Sequence, residues 1–373
     1  MRVVLNTRSD DAGTAAAIHA LGARLRGHGV EAVVNDWSGY AGYDVAVFMA
    51  YDHELERARA EQPGIRVALA DPKLGSADLV RDAARADVLI VSSVEQRDAF
   101  LRVNRNAVVW SMFPLVDAEE REHRAKEPVV IGYHGNRVHL EAMARGLKQA
   151  LEELGRRRAV ELHAIYDLER LGRARIGVPD GRAIFVRHVQ WTPRYADALR
   201  EVDIGIVPNE LPVRDRLDVL ERAAYPDGEL AYEPFDHLLR FKVSTNAGRV
   251  YPFARLGIPV VADFAPSAAQ LVEDGVSGFL ASSAAGWYEA LEALVDSPEL
   301  RARLAGELRR RADERGRRDL EELVARLRAP LLPSLVPTPD WDAVEPALER
   351  LGRYPRPAGG PLVRRALARL RRR

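Results

Sequence analysis

The chain has 373 residues, with 55 lysines and arginines against 55 aspartates and glutamates, and no cysteine. The length exceeds one ordinary core of about 100 to 200 residues, so two domains are expected, and the balanced charge offers no global field to a nucleic acid. Without thiols there can be no disulfide, cysteine–zinc site or thiol nucleophile, which fits a reducing cytoplasm.

The amino terminus, "MRVVLNTRSDD", enters a strand-like run at once and lacks the charged and apolar regions of a signal peptide. No apolar run approaches the roughly 20 residues that span a bilayer, so a soluble, cytoplasmic protein is expected. Short β-branched runs then alternate with helical patterns: "RVVLN" from Arg2, "EAVVN" from Glu31, "DVAVFMA" from Asp44, "RVALAD" from Arg66, "VLIVSS" from Val88 and "AVVWSM" from Ala107. This is the pattern of a parallel sheet covered on both faces, and it predicts a Rossmann-like domain over residues 1–115. Ile18, Leu21 and Leu25 share a face ahead of Gly29, which predicts one crossover helix between the first two strands. In the loop after the first strand, "SDDAGTAAA" sets Asp11, Gly13 and Thr14 at the rim of that domain. They are candidate ligand contacts, although Asp10 or Asp11 could equally serve as a helix cap.

A charged stretch over 116–128 reads as a linker, after which the pattern restarts with "VVIGYHGN" at Val129. Leu140, Met143, Leu147, Leu151 and Leu154 predict one amphipathic helix. The series continues through "AVELHAIY", "AIFVRHVQW", "DIGIVP", "IPVVAD" and "GFLA", giving a second Rossmann-like domain over 129–330. Two doubly wound α/β domains, each binding ligands at the carboxyl ends of its strands, imply a central cleft between them. From Asn209 to Leu239 the chain has no clean strand, and this segment is either a surface insertion or a loop over the cleft.

The stretch "FKVSTNAGR" from Phe241 carries two cations, Lys242 and Arg249, around Ser244, Thr245 and Asn246, at the approach to a helix predicted over 250–256 and ended by Gly257. Helix-capping residue types, free backbone N–H groups and two cations on an open cleft rim suit a diphosphate. Its other half would be "HGNR": Gly135 lets a ligand approach the backbone, Asn136 and Arg137 open the next helix, and His134 precedes them. An ordinary turn is the alternative. None of the nine histidines forms an HExxH or paired metal-ligand spacing, so no metal is expected. No G-x-S-x-G, P-loop or kinase motif is present. Beyond residue 330 an extension ends in "YPRPAGGPLVRRALARLRRR". Here Leu362, Val363, Ala366, Leu367 and Leu370 face away from Arg364, Arg365, Arg369 and Arg372. That amphipathic pattern could dock on an anionic membrane surface, or be a solvated tail or a helix packed on the first domain.

"GRVYPFARLGIPVVADFAPSAAQLVEDGVSGFLASSAAGWYEALEALVDSPELRARL" resembles the carboxyl-terminal nucleotide-sugar domain of GT-B glycosyltransferases, and of glycosyltransferase family 4 in particular. "IGYHGNRVHLEAMARGLKQAL" is similar to that domain's first strand and phosphate-facing loop, so the resemblance runs from Val129 to about Leu308. The first half matches in architecture. Family 4 members commonly carry two glutamates eight residues apart, at positions that are Ser244 and Pro252 here, and a further glutamate that falls on Gln270. The resemblance is thus to a divergent branch, with Gln270 a candidate contact able to hydrogen-bond without charge. It implies a nucleoside-diphosphate sugar donor held by the second domain and an acceptor of unknown identity held by the first. It also implies retention of configuration and no cofactor or obligatory metal. Lys242 and Arg249 would stabilise the departing diphosphate, and Gly135, Asn136, Arg137, Thr245 and Asn246 would bind it. A GT-B-fold sugar-nucleotide epimerase and a non-catalytic nucleotide-sugar binder are the alternatives.

Overall fold

The structure, a computed structural model, describes residues 1–9, 15–73, 77–144, 146–173, 177–209 and 247–333. Each of the twelve apolar runs forms a strand. The first six are β1 (Arg2–Asn6), β2 (Glu31–Val34), β3 (Val45–Met49), β4 (Arg66–Ala70), β5 (Val88–Val91) and β6 (Ala107–Val109). They pair in parallel in the order β2-β1-β3-β4-β5-β6. The second six are β7 (Val129–His134), β8 (Val160–Tyr166), β9 (Phe185–Gln190), β10 (Ile204–Val207), β11 (Val260–Asp263) and β12 (Phe279–Ala281). Their order is β12-β11-β10-β7-β8-β9, again parallel throughout.

Period-2 alternation within these strands feeds two different cores. Val3, Leu5, Val45, Val47 and Met49 point into one cluster, while Val4, Ala46, Phe48 and Ala50 point into another. Both faces of the first sheet are therefore covered, and the second sheet is treated the same way, with Ile131, Tyr133, Leu162 and Ala164 in a cluster of their own. The first cluster does not stop at the domain boundary. It runs from β1 and β3 through Trp110 and Phe113 to Tyr251, Phe253 and Val260 of the second domain.

Helices fill the crossovers. A π-helical turn at Ala15–Ala20 leads into α1 (Leu21–Gly27), burying Ile18, Leu21 and Leu25, and Gly29 follows at φ 75°. The remaining helices of the first domain are α2 (Leu55–Glu61), α3 (Ala77–Arg85) and α4 (Val94–Phe100). In the second domain the single helix expected after β7 is broken into α5 (Arg137–Ala142) and α6 (Leu147–Arg157), although all five of its apolar positions are buried. The break falls at Gly146. It takes φ 86°, and a Cβ there would stand 2.8 Å from the backbone nitrogen of Ala284. There follow α7 (Leu168–Leu171), α8 (Tyr195–Leu199), α9 (Val250–Arg255), α10 (Pro266–Ala269) and α11 (Ala284–Asp296).

The last described helix, α12, is long. It begins at Pro298, capped by Ser297, whose Oγ accepts the amide of Leu300 at 3.1 Å, and ends at Arg328. Leu308, Ala312, Leu323 and Val324 carry it along the shared core, and its end reaches the first sheet, where Arg66 Nη1 donates to Leu327 O at 2.6 Å. Residues 210–246, which hold most of the insertion, and residues 334–373, which hold the arginine-rich tail, lie outside the described residues.

Candidate functional site

In the second sheet, β7 is followed by β8 on one side while β10 lies on the other, so the order reverses between β7 and β10. Crevices of this kind, at the carboxyl ends of the strands, are where open α/β sheets bind ligands. Three strand ends converge there.

β7 ends at His134, and Gly135 follows at φ 139°, donating its amide to Ile165 O at 3.1 Å. A Cβ on Gly135 would lie 3.0 Å from Arg249 Cδ and 3.0 Å from the Tyr133 hydroxyl, so the absent side chain is what lets the arginine lie on this loop. β10 is followed by Pro208 and Asn209. Arg249 closes the 3-10 turn Ala247–Arg249 that leads into α9, and its Nη2 donates to Pro208 O at 2.7 Å and to Asn209 Oδ1. At the end of β11, the Asp263 carboxylate accepts the backbone amide of Asn209.

The guanidinium does not stand free on an open rim, as the sequence suggested: it is held against the β10 loop with Nη1 buried, while the residue as a whole keeps partial exposure. Two donors of this cluster are buried with no partner among the described residues: Arg249 Nη1 and Asn209 Nδ2. Burial lowers the Arg249 pKa, opposed by Tyr133 and Asp263, yet an arginine remains charged. A buried donor without an acceptor costs about 1 to 3 kcal/mol, so the two create local demand for an anionic or carbonyl acceptor.

His134 lies just behind the cluster, 6% exposed. Its ring stacks on Tyr195 at 5.2 Å and meets Phe253 edge-on at 5.1 Å, and its Nε2 lies 2.9 Å from the Arg249 carbonyl oxygen. Because a carbonyl only accepts, Nε2 carries the proton. Burial pushes the ring's pKa down to about 4, so it is neutral at physiological pH.

The site residues named from sequence fall into three groups. His134, Gly135 and Arg249 come together. Asn136 is exposed beside them, and its carbonyl oxygen accepts from the Tyr133 hydroxyl at 2.5 Å and from His139 N at 3.0 Å. Arg137 opens α5, its side chain outside the described part, and Lys242, Thr245, Asn246, Asp11, Gly13 and Thr14 also lie outside the described residues. Gln270 stands elsewhere, at the boundary between the domains: its amide donates to Glu95 of α4 at 3.3 Å and accepts from Arg315 of α12 at 3.1 Å. Sequence reasoning missed Asn209 and Asp263. Both directly follow or end a β-branched run on the β10–β11 side of the switch point, and that position was the available signal. Among the described residues there is no cluster of three or more His, Asp or Glu able to hold a metal, and no helix long and apolar enough to cross a membrane.

No protein-family model and no curated protein sequence matches the chain. Solved structures do. Sucrose-phosphate synthase from Thermosynechococcus elongatus superimposes with a TM-score of 0.55 at 12% identity, covering 87% of this chain and 97% of its own. Anabaena Alr3699/HepE in complex with UDP does so with a TM-score of 0.53 at 15% identity, covering 87% of this chain and all of its own. The chain has the GT-B fold. TarM is similar over 76% of this chain, with a TM-score of 0.51 at 12% identity, and this chain spans 55% of TarM's length. Within the GT-B frame, the Arg249 cluster belongs to the second Rossmann-like domain, at its switch point.

Proposed function

We propose that the protein is a glycosyltransferase that moves a sugar from a nucleoside-diphosphate donor to an acceptor hydroxyl. One observation carries the reading: two buried donors without a partner among the described residues, Arg249 Nη1 and Asn209 Nδ2, belong to side chains that hydrogen-bond each other at the switch point of the second sheet. The Alr3699/HepE structures, alike in fold, hold UDP or UDP-glucose. In this reading Arg249 and Asn209 grip the diphosphate, and Lys242, Thr245, Asn246 and the Gly135–Arg137 turn complete its shell. The loop bearing Asp11, Gly13 and Thr14 faces the acceptor. Catalysis comes from positioning the reactants and from stabilising negative charge on the departing diphosphate. The cations make a metal dispensable, and the chain is read as a divergent relative of family 4 that retains anomeric configuration. A role in cell-surface glycan synthesis, with the arginine-rich tail on the inner membrane face, belongs to the same reading.

The test is calorimetric titration of the protein with UDP and with other nucleoside diphosphates, in EDTA and again in magnesium. Binding of at least one of them in EDTA is expected. Arg249→Ala should weaken it by about ten- to a hundredfold, the range for losing a hydrogen bond to a charged group. A strict magnesium requirement would overturn the metal-free site, and full affinity in Arg249→Ala would remove Arg249 from it. Binding without sugar transfer or donor hydrolysis would favour a nucleotide-sugar binder.

A further inference from the structure

We infer that His134 is a positioning residue, which fixes the Arg249 guanidinium at the anion site without touching the donor itself; the inference rests on the reading of Arg249 as a donor ligand. The ring is nearly inaccessible, sandwiched between Tyr195 and Phe253, so it presents no free face to a ligand. Its polar contact is directed at the backbone: Nε2–H donates to the carbonyl oxygen of Arg249 at 2.9 Å. That carbonyl ends the 3-10 turn from Ala247 and belongs to the N-cap of α9, so the imidazole N–H is a second donor to a group that also heads the helix ladder.

His134 and Arg249 thus tie the end of β7 to the start of α9 at two points. The histidine holds the arginine's backbone, and Gly135, the next residue, leaves the gap in which the arginine's side chain lies. Holding both ends of a side chain narrows its rotamers before a ligand arrives, and a preorganised guanidinium loses less entropy on binding. Tyr195 and Phe253 flank the ring whose Nε2–H points at that carbonyl. Trp191, stacked on Tyr195 at 5.8 Å, extends that wall.

Three variants test this. His134→Phe keeps a ring between Tyr195 and Phe253 and removes the donor. His134→Gln places an amide nitrogen near the Nε2 position, while His134→Asn places it near Nδ1, out of reach of the Arg249 carbonyl. The primary readout is the Nε–H correlation of the Arg249 guanidinium in the NMR spectrum of the deuterated full chain, assigned by its loss in Arg249→Lys. It should shift or broaden in His134→Phe and His134→Asn and return towards its original position in His134→Gln. UDP affinity is the second readout: His134→Phe should weaken it about tenfold in the native background and leave it unchanged in an Arg249→Ala background. An unmoved Arg249 signal in the Phe and Asn variants overturns the inference, as does an equal loss of affinity in both backgrounds. If the native chain binds none of the nucleoside diphosphates, the donor reading fails while the NMR signal still decides whether His134 positions Arg249. If His134→Phe does not fold, the contrast between the Gln and Asn variants decides it.

Discussion

His134 shows how one buried ring leaves a mark on the stability of the whole chain. In an unfolded chain a histidine titrates near 6.5, whereas burial holds His134 at about 4. Between those values the unfolded chain takes up a proton that the folded one refuses, so stability falls as pH drops from about 6.5 to 4 and is level above about 7. A difference of that size is worth about 3 kcal/mol. Asp319 acts in the opposite sense, because burial raises its carboxyl pKa and the fold gains stability as that group protonates. The total acid response therefore mixes several groups, and a comparison with His134→Gln isolates the histidine. Urea denaturation at pH 7.5, 6 and 4.5 should show a smaller acid loss in the variant than in the native protein. Equal losses would mean that the ring is not held neutral by its surroundings. Arg249→Ala carries a structural cost of its own, since it leaves Pro208 O and Asn209 Oδ1 without their donor. Its binding measurements therefore belong well below its melting temperature.

The elements were legible to different degrees, for physical reasons visible in individual residues. Strands read well because both faces of each sheet are buried, which writes each central strand as an unbroken apolar run such as "VAVFM" or "VLIV". The helix after β7 did not, because its apolar face continues in register across a break, so periodicity reports burial and is blind to the left-handed turn at Gly146. The site follows the same logic. Arg249 and Gly135 stood out through residue type, a cation beside capping residues and a glycine after a strand. Asn209 and Asp263 owe their place to the convergence of β10 and β11, which only the strand order reveals. The break itself is testable. Gly146→Ala should destabilise the fold by about 2 kcal/mol or more, since φ 86° with ψ −46° strains any residue with a side chain and its Cβ would also press on the start of α11. Thermal unfolding should show a melting temperature several degrees lower, and an unchanged one would mean that α6 and α11 can move apart freely.

At the scale of the molecule, the two Rossmann-like domains are joined more firmly than a linker alone would join them. Residues 110–126 form neither helix nor strand, yet Glu119 N donates to Arg255 O at 2.9 Å and Arg121 Nη2 to Asp203 Oδ1 at 3.2 Å, which fastens this segment to the second domain. Phe113 stacks on Tyr251 at 4.4 Å, and Arg24 of α1 donates to the Tyr251 hydroxyl at 2.9 Å, two residues beyond Arg249. A further tie is Asp319 of α12, 1% exposed. It accepts the Ser111 hydroxyl at 2.7 Å and the Ser111 amide at 3.2 Å where the chain leaves β6, and takes Arg315 Nε at 2.6 Å. Arg315 reaches on to Gln270, and Gln270 to Glu95, so one network crosses the boundary twice. An amide suits the Gln270 position because it can accept from an arginine and donate to a carboxylate at once. Asp319→Ala would leave the buried Ser111 hydroxyl and amide without their acceptor, while the half-buried Arg315 keeps Gln270, a loss of about 1 to 3 kcal/mol by the measure of an unsatisfied buried donor. Asp319→Asn, which keeps an acceptor for Ser111, should cost less. Because the loss falls on the tie between the domains, calorimetry is expected to show one unfolding peak for the native protein and two for Asp319→Ala. One undivided peak at the native temperature would place the coupling elsewhere, in the apolar core that runs through Trp110, Phe113 and Tyr251.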